Sequence, residues 1–92
     1  GILLEGTPAD VNLAELRASL LQLPGVAGVH DLHVWALTSG VYAMSLHAVS
    51  EEDTAHEAII KAICGHARTE YKITHTTVQV EGAGCSAADM HV

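Results

Sequence analysis

Leucines recur at helical spacing in the first quarter of the chain. The positions are Leu13, Leu16, Leu20 and Leu23, with Leu21 widening the stripe. Asn12 stands three residues before Glu15, a capping-box-like helix start, and Pro24-Gly25 stops the pattern. The spacing therefore predicts a helix over 12–23.

The hydrophobic period then changes from 3.6 to 2, which indicates strands. Residues 26–37 and 41–49 both alternate, and Thr38-Ser39-Gly40 between them predicts a hairpin turn. In the first strand Leu32, Val34 and Ala36 share one face, opposite Asp31, His33, Trp35 and Leu37.

A second helix and a third strand complete the pattern. The acidic stretch 50–53 suits a helix N-terminus and predicts a helix over 53–68. Its expected buried stripe is Ile59, Ile60, Ile63 and Ala67. Residues 73–81 form a third predicted strand, in which Val78 and Val80 face away from His75, Thr77, Gln79 and Glu81.

The element order α-β-β-α-β predicts a small α+β two-layer sandwich with a three-stranded mixed sheet. Both helices should cover one face of the sheet. The second and third strands should be parallel, and the crossover that connects them should be right-handed. The other face is only partly apolar, and such a half-open sheet offers a surface to a partner subunit.

Composition narrows the function classes. The chain has 92 residues, 49% of them hydrophobic, and a net charge of −7 from 4 basic and 11 acidic residues. This charge argues against nucleic acid and anionic membrane partners and favours cations. Since no apolar run reaches about 18–20 residues, no transmembrane helix is expected in this chain.

Seven histidines stand out against four Lys plus Arg. They are scattered, and the chain has no C-x-x-C, H-E-x-x-H or glycine-rich phosphate motif, so any metal site has to be assembled by folding. A lone histidine is more commonly a hydrogen-bonded surface residue. No nucleophile-elbow pattern occurs, and we expect no enzyme activity.

Strand geometry nevertheless favours one set of ligands. His47 and Glu81 lie on outward faces near the downstream ends of two strands that should be parallel. His30 opens the first strand, beside the end of the second in an antiparallel hairpin. Two imidazoles and a carboxylate suit a borderline cation such as Zn²⁺, leaving a fourth position for water or another subunit.

Weaker candidates remain open. Asp31 and His33 could be a carboxylate and histidine pair that supports a metal ligand, but a solvated pair on the strand is the simpler interpretation. Cys64 suits a small core position, and Trp35 suits packing on the sheet or at an interface. Cys85 in the tail could reach a metal, with Asp89 and His91 as companions, but an unstructured tail is the plainer interpretation.

One stretch resembles a known family. Gly28-Val29-His30-Asp31-Leu32-His33-Val34-Trp35-Ala36-Leu37 is similar to the signature of the C-terminal cytoplasmic domain of cation diffusion facilitator transporters. The flanks at residues 4–8, 23–26 and 77–81 resemble that family's linker, first-helix exit and last strand. The resemblance covers about residues 2–85, and the bacterial CzcD-type zinc, cobalt and cadmium resistance exporters look most similar.

The resemblance implies a ferredoxin-like, metallochaperone-like fold and a homodimer with zinc near its interface. By position, His30, His47 and Glu81 match the family's primary zinc-binding set. His56 matches a position that in some members reaches the partner protomer's metal site, and Cys85 loosely resembles tail cysteines that join metal sites. Gln79 falls where some members have a second histidine, which puts a complete binuclear site in doubt.

The resemblance also implies a division of the chain and a function. Residues 1–11 would be a linker following a transmembrane domain absent from this chain, 12–82 the cytoplasmic domain, and 83–92 a flexible tail. The domain would sense Zn²⁺, or Cd²⁺ or Co²⁺, at the cytoplasmic face of the bacterial inner membrane and regulate efflux through its dimer geometry.

Two alternatives belong to other classes. One is a structural homodimerisation module that binds metal only incidentally. The other is a free-standing metallochaperone, which is disfavoured because such chaperones usually carry a cysteine pair in one loop. Cys64 and Cys85 are not such a pair.

Overall fold

The computed structural model describes residues 7–82 and confirms the predicted α-β-β-α-β sandwich. Its elements are α1 (Leu13–Leu21), β1 (Val26–Thr38), β2 (Val41–Ser50), α2 (His56–Tyr71) and β3 (Ile73–Gly82). The strands lie in the order β1-β2-β3, with β1 antiparallel and β3 parallel to β2. The three-stranded sheet is therefore mixed, as expected.

The core lies between the helices and one face of the sheet. α1 packs on β1 and α2 packs on β3. The largest fully buried side chains are Leu16, Leu20, Val29, Met44, Leu46, Ile59, Ile63 and Ile73. Because both helices lie on this face, the opposite face, here called the open face, is free of helices within residues 7–82.

The α1 boundary follows from its cap. The Asn12 side chain accepts a hydrogen bond from the Glu15 backbone N–H at 3.0 Å, which satisfies one of the free donors at the helix start. The helix ends at Leu21, two residues before the predicted end.

The predicted start of the second helix is wrong. Ser50 ends β2 with its side chain buried, and Asp53 turns the chain with a φ of +63°. The helix begins three residues later than expected, and its N-cap Ala55 makes no side-chain cap bond. Ile60 is also not in the buried stripe: it is 39% exposed, because one residue turns a helix by about 100° and the buried line runs through Ile59, Ile63 and Ala67.

Gly25 forms the joint between α1 and β1. Its φ is +86°, and a Cβ at this position would lie 2.5 Å from Thr54 Cγ2 and 2.9 Å from Ile59 Cδ1. Its carbonyl accepts a 2.8 Å hydrogen bond from the Glu51 N–H. This close approach holds the start of β1 against the segment that leads into α2.

β1 has three more residues than β2, and its pairing shifts at three places. One shift lies between His30, opposite His47, and His33, opposite Ser45. Within it, Asp31 has a φ of +54°, a left-handed conformation that Asp tolerates better than most residues. The extra residue places both His30 and His33 on the open face, whereas strict alternation would separate them.

Candidate metal centre

Three potential metal ligands meet at one end of the open face, each from a different strand. His30 on β1 lies directly opposite His47 on β2. In the parallel pair, Gln79 on β3 is level with His47, and Glu81 is two residues further along. Because side chains two apart on a strand share a face, Glu81 points to the same side as Gln79.

The Glu81 carboxylate lies between the two imidazoles. Its Oε1 is 3.0 Å from His47 Nδ1, and its Oε2 is 3.3 Å from His30 Nε2. The two imidazole centroids are 5.1 Å apart, with the rings tilted by 58°. One oxygen therefore faces each ring.

The cluster is sheltered on one side and open on the other. The Glu81 side chain is 10% exposed, whereas His30 is 45% and His47 is 34% exposed. His47 also borders a groove of about 370 Å³ on the open face, together with Asp31, His33 and Gln79. An ion from solvent could therefore reach the imidazoles without a large movement of the sheet.

The chemistry of this donor set fits a transition-metal ion. One nitrogen from each histidine and one Glu81 oxygen lie within 4.8 Å of one another. Zn²⁺ is commonly held by imidazole and carboxylate ligands, and three protein ligands leave a coordination position open. Of the described residues, only His30, His47 and Glu81 form such a group.

A second carboxylate, that of Asp31, lies beside the cluster. Its Oδ2 lies 3.5 Å from His30 Nδ1 and 4.0 Å from His47 Nδ1. The bulge brings this carboxylate to the cluster. The buried positions change from odd to even numbers between Val29 and Val34, and this change of parity was the available signal.

Within the described residues, His56 is not brought into the cluster. His56 is exposed at the first position of α2, in the helix layer, and is not part of the three-residue group. Cys85 lies outside the described residues. Gln79 borders the groove beside His47.

Another histidine contact joins the two helices. The Ser19 hydroxyl donates to the Leu16 carbonyl at 2.8 Å, so its single proton is used. His66 Nε2, 2.9 Å away, must then donate to the Ser19 oxygen. His66 is therefore not placed as a base for this hydroxyl, and the contact serves helix packing.

A second polar contact ties the segment before α1 to the sheet. The Tyr42 hydroxyl donates to the Asp10 carboxylate, with distances of 2.7 and 2.8 Å to its two oxygens. This hydrogen bond, followed by desolvation and the Asp10 charge, raises the pKa of Tyr42 above its ordinary value of 10.0. The neighbouring Val11 is buried and anchors the same segment.

Comparison with known proteins identifies the family. Residues 8–83 match the profile of the cation efflux protein cytoplasmic domain. The chain belongs to the cation efflux family, the cation diffusion facilitators. It is 42% identical over 89 residues to the metal cation efflux system protein CzcD of Cupriavidus metallidurans, covering 96% of this chain and 28% of that protein.

One further relative and one solved structure support this placement. A cadmium, cobalt and zinc/H⁺-K⁺ antiporter of Bacillus velezensis is 35% identical over 85 residues, covering 89% of this chain and 27% of its own length. The solved metal-bound C-terminal domain of the C. metallidurans CzcD transporter superposes with a TM-score of 0.72 at 38% identity, covering 77% of this chain and 99% of that one.

The match is to one part of much longer cation efflux proteins. The chain spans less than a third of the length of the two curated relatives described above. Among residues 7–82, neither helix is long and apolar enough to cross a membrane.

Proposed function

We propose that this chain is the regulatory, metal-sensing and dimerisation domain of a divalent-cation efflux transporter. His30, His47 and Glu81 would bind Zn²⁺, with Cd²⁺ or Co²⁺ as alternative ions. The observation that carries the proposal is the convergence of these ligands from three strands, with one donor from each within 4.8 Å. Two imidazoles and a carboxylate are ligand types that Zn²⁺ commonly takes.

The relatives support the class of ion. The similar Bacillus protein is named for cadmium, cobalt and zinc, and the similar CzcD domain was solved in a metal-bound form. The net charge of −7 makes the binding of a cation electrostatically favourable. When bound, the metal would supply positive charge that neutralises Glu81 and draws its ligands together.

A second copy of the chain is the proposed occupant of the open face. Trp35 and His75 flank Ala43 from either side on this face, and together with Leu37 they line a shallow groove. Leu37 is 53% exposed, the largest value among the bulky hydrophobic residues described. Covering this surface would bury apolar area in a small domain whose own core is limited.

Dimerisation and metal binding would then be linked. The metal cluster lies on the same face as the proposed interface, and its open coordination position is available to water or to a ligand from the partner. His56 and Cys85 remain candidates for that position. If zinc binds one dimer geometry better than another, it shifts the population toward that geometry, and an attached transport domain would respond.

Calorimetric titration of zinc into chelator-stripped protein tests the metal site. We expect micromolar or tighter binding at a whole-number ratio at pH 7.5, and its loss in His47→Ala. Glu57→Ala is the control, because Glu57 is exposed on α2, outside both the cluster and the open-face groove. Weak, fractional binding that survives His47→Ala would contradict a built site.

Small-angle scattering tests the regulatory step. We expect the dimer to become more compact when zinc is added, and His47→Ala to remain unchanged.

The second candidate function, a structural homodimerisation module, is favoured by the exposed apolar groove around Trp35 and Leu37. It predicts the same dimer with superimposable scattering profiles in the presence and absence of zinc.

A further inference from the structure

The His30 imidazole lies between two carboxylates. Glu81 Oε2 is 3.3 Å from Nε2, and Asp31 Oδ2 is 3.5 Å from Nδ1. A neutral imidazole carries one proton, and the hydrogen bond made by one nitrogen decides which nitrogen stays bare. Of the two contacts, the one to Glu81 has hydrogen-bond geometry, so Asp31 competes with Glu81 for the position of this proton.

We propose that Asp31 is a positioning residue that keeps the His30 proton on Nδ1 and leaves Nε2 free to bind the metal. This inference rests on the proposed function of the cluster. Nε2 is the nitrogen on the side of Glu81, and Glu81 also faces His47 Nδ1. A metal held by all three residues needs Nε2 bare, so the proton must face Asp31.

A bulge in β1 brings the Asp31 carboxylate next to the His30 imidazole. Asp31 occupies the pairing shift between His30 and His33 with a φ of +54°. Asp tolerates this conformation better than most residues do, so the bulge forms here without a glycine. Without the extra residue, position 31 would face the core side of the sheet, away from both imidazoles.

A carboxylate suits this role better than an amide does. An ionised carboxylate only accepts hydrogen bonds, so it stabilises the tautomer with a proton on Nδ1. An asparagine amide can accept from Nδ1–H or donate to a bare Nδ1, and it selects neither tautomer. Partners that orient a metal-binding histidine typically contribute 10- to 100-fold to metal affinity.

The test uses Asp31→Asn and Asp31→Gly, with Asp53→Asn as the control. Glycine fits a positive φ, so Asp31→Gly should fold, which a melting curve in chelator verifies. Asp53 has a similar φ of +63° and is exposed. Asp53→Asn changes the net charge by the same amount as Asp31→Asn. Asp53 lies within 4.0 Å of no histidine of the described chain.

Two measurements are made on each protein. We expect zinc affinity to fall about 10- to 100-fold in both Asp31 variants and to stay within about twofold in Asp53→Asn. Nitrogen-15 NMR of the metal-free proteins at pH 7.5 should show a smaller fraction of His30 with its proton on Nδ1 in Asp31→Gly than in the wild type.

The outcomes are separable. Unchanged affinity in the Asp31 variants, or an affinity loss with unchanged tautomer populations, would overturn the positioning role. If the wild type itself binds no zinc, the proposed function fails. The tautomer comparison, which needs no metal, would still decide what Asp31 does to His30.

Discussion

His30 lies directly opposite His47 across the antiparallel β1–β2 ladder, and their ring centroids are 5.1 Å apart. Directly opposite side chains on one sheet face have Cβ atoms about 4.5–5.5 Å apart, so two strands alone supply an imidazole pair. The parallel β3 adds a carboxylate beside this pair. The centre thus depends on both ladders of the mixed sheet, and each strand supplies one element of the proposed chemistry.

Replacing the Glu81 carboxylate by an amide should weaken metal binding strongly. Glu81→Gln keeps the size of the side chain but removes the negative charge next to both histidines. We expect at least about a tenfold loss of zinc affinity by competition with a chelating dye, comparable to the loss of a partner that supports a metal ligand. Glu57→Gln, an exposed site on α2 with the same charge change, should bind like the wild type.

Zinc affinity should fall as the pH is lowered from 8 toward about 6. Protons compete with the metal for imidazole nitrogens, so two histidine ligands make binding strongly dependent on pH in this range. Titrations at several pH values should show a steep decrease. An affinity that stays constant from pH 8 to 6 would argue against histidine ligands.

The open-face dimer can be tested with two exposed hydrophobic residues. Leu37 is 53% and Ile60 is 39% exposed; Leu37 lines the open-face groove, and Ile60 lies on α2. Leu37→Asp should raise the dimer dissociation constant about tenfold or more, because a charge would be buried in the apolar interface. Ile60→Asp should leave it nearly unchanged in sedimentation experiments. Equal effects of both variants would place the interface elsewhere.

Regular hydrophobic periodicity predicted the strands and their faces, but it did not predict the bulge in β1. Alternation in β2 and β3 placed His47 and Glu81 on one face, and the predicted parallel pairing brought their ends together. By contrast, strict alternation through β1 did not predict the Asp31 bulge. Its sign in the sequence is the change of the buried positions from odd at Val29 to even at Val34.

The start of α2 was mispredicted for a different reason. Acidic residues at 51–53 satisfy the usual preference for a helix N-terminus, but the chain uses them to turn. The Glu51 N–H bonds the Gly25 carbonyl, and this tertiary contact determines where the turn forms. Local propensity does not include a partner 26 positions earlier in the sequence.

The Tyr42–Asp10 contact should be visible as a high tyrosine pKa. In Tyr71→Phe, Tyr42 is the remaining tyrosine, and its absorbance titration should have a midpoint above 10.0. Adding Asp10→Ala should lower that midpoint. Because the folded pKa is raised, the contact's contribution to stability is complete below pH 10 and is lost as the pH rises through the folded value. If the Tyr42 midpoint is the same with and without Asp10→Ala, the contact is not the cause of the raised pKa.

Gly25→Ala should destabilise the protein more than Gly40→Ala does. Both glycines have positive φ values, +86° and +77°. An alanine Cβ at Gly40 meets nothing within 4 Å, so its cost is the left-handed backbone alone, about 1–2 kcal/mol. At Gly25 the Cβ also overlaps Thr54 and Ile59, and overpacking typically adds about 1–3 kcal/mol.

Thermal melts in chelator separate the two contributions. For a domain of this size, 1 kcal/mol corresponds to a shift of about 4–8 °C, so the difference between the two alanine variants is readily measured. A Gly25→Ala, Thr54→Ser double variant should recover part of the loss, because Thr54→Ser removes the methyl carbon nearest the added Cβ. Equal melting temperatures for Gly25→Ala and Gly40→Ala would show that the backbone, and not the packing of Thr54 and Ile59, determines the need for glycine at this joint.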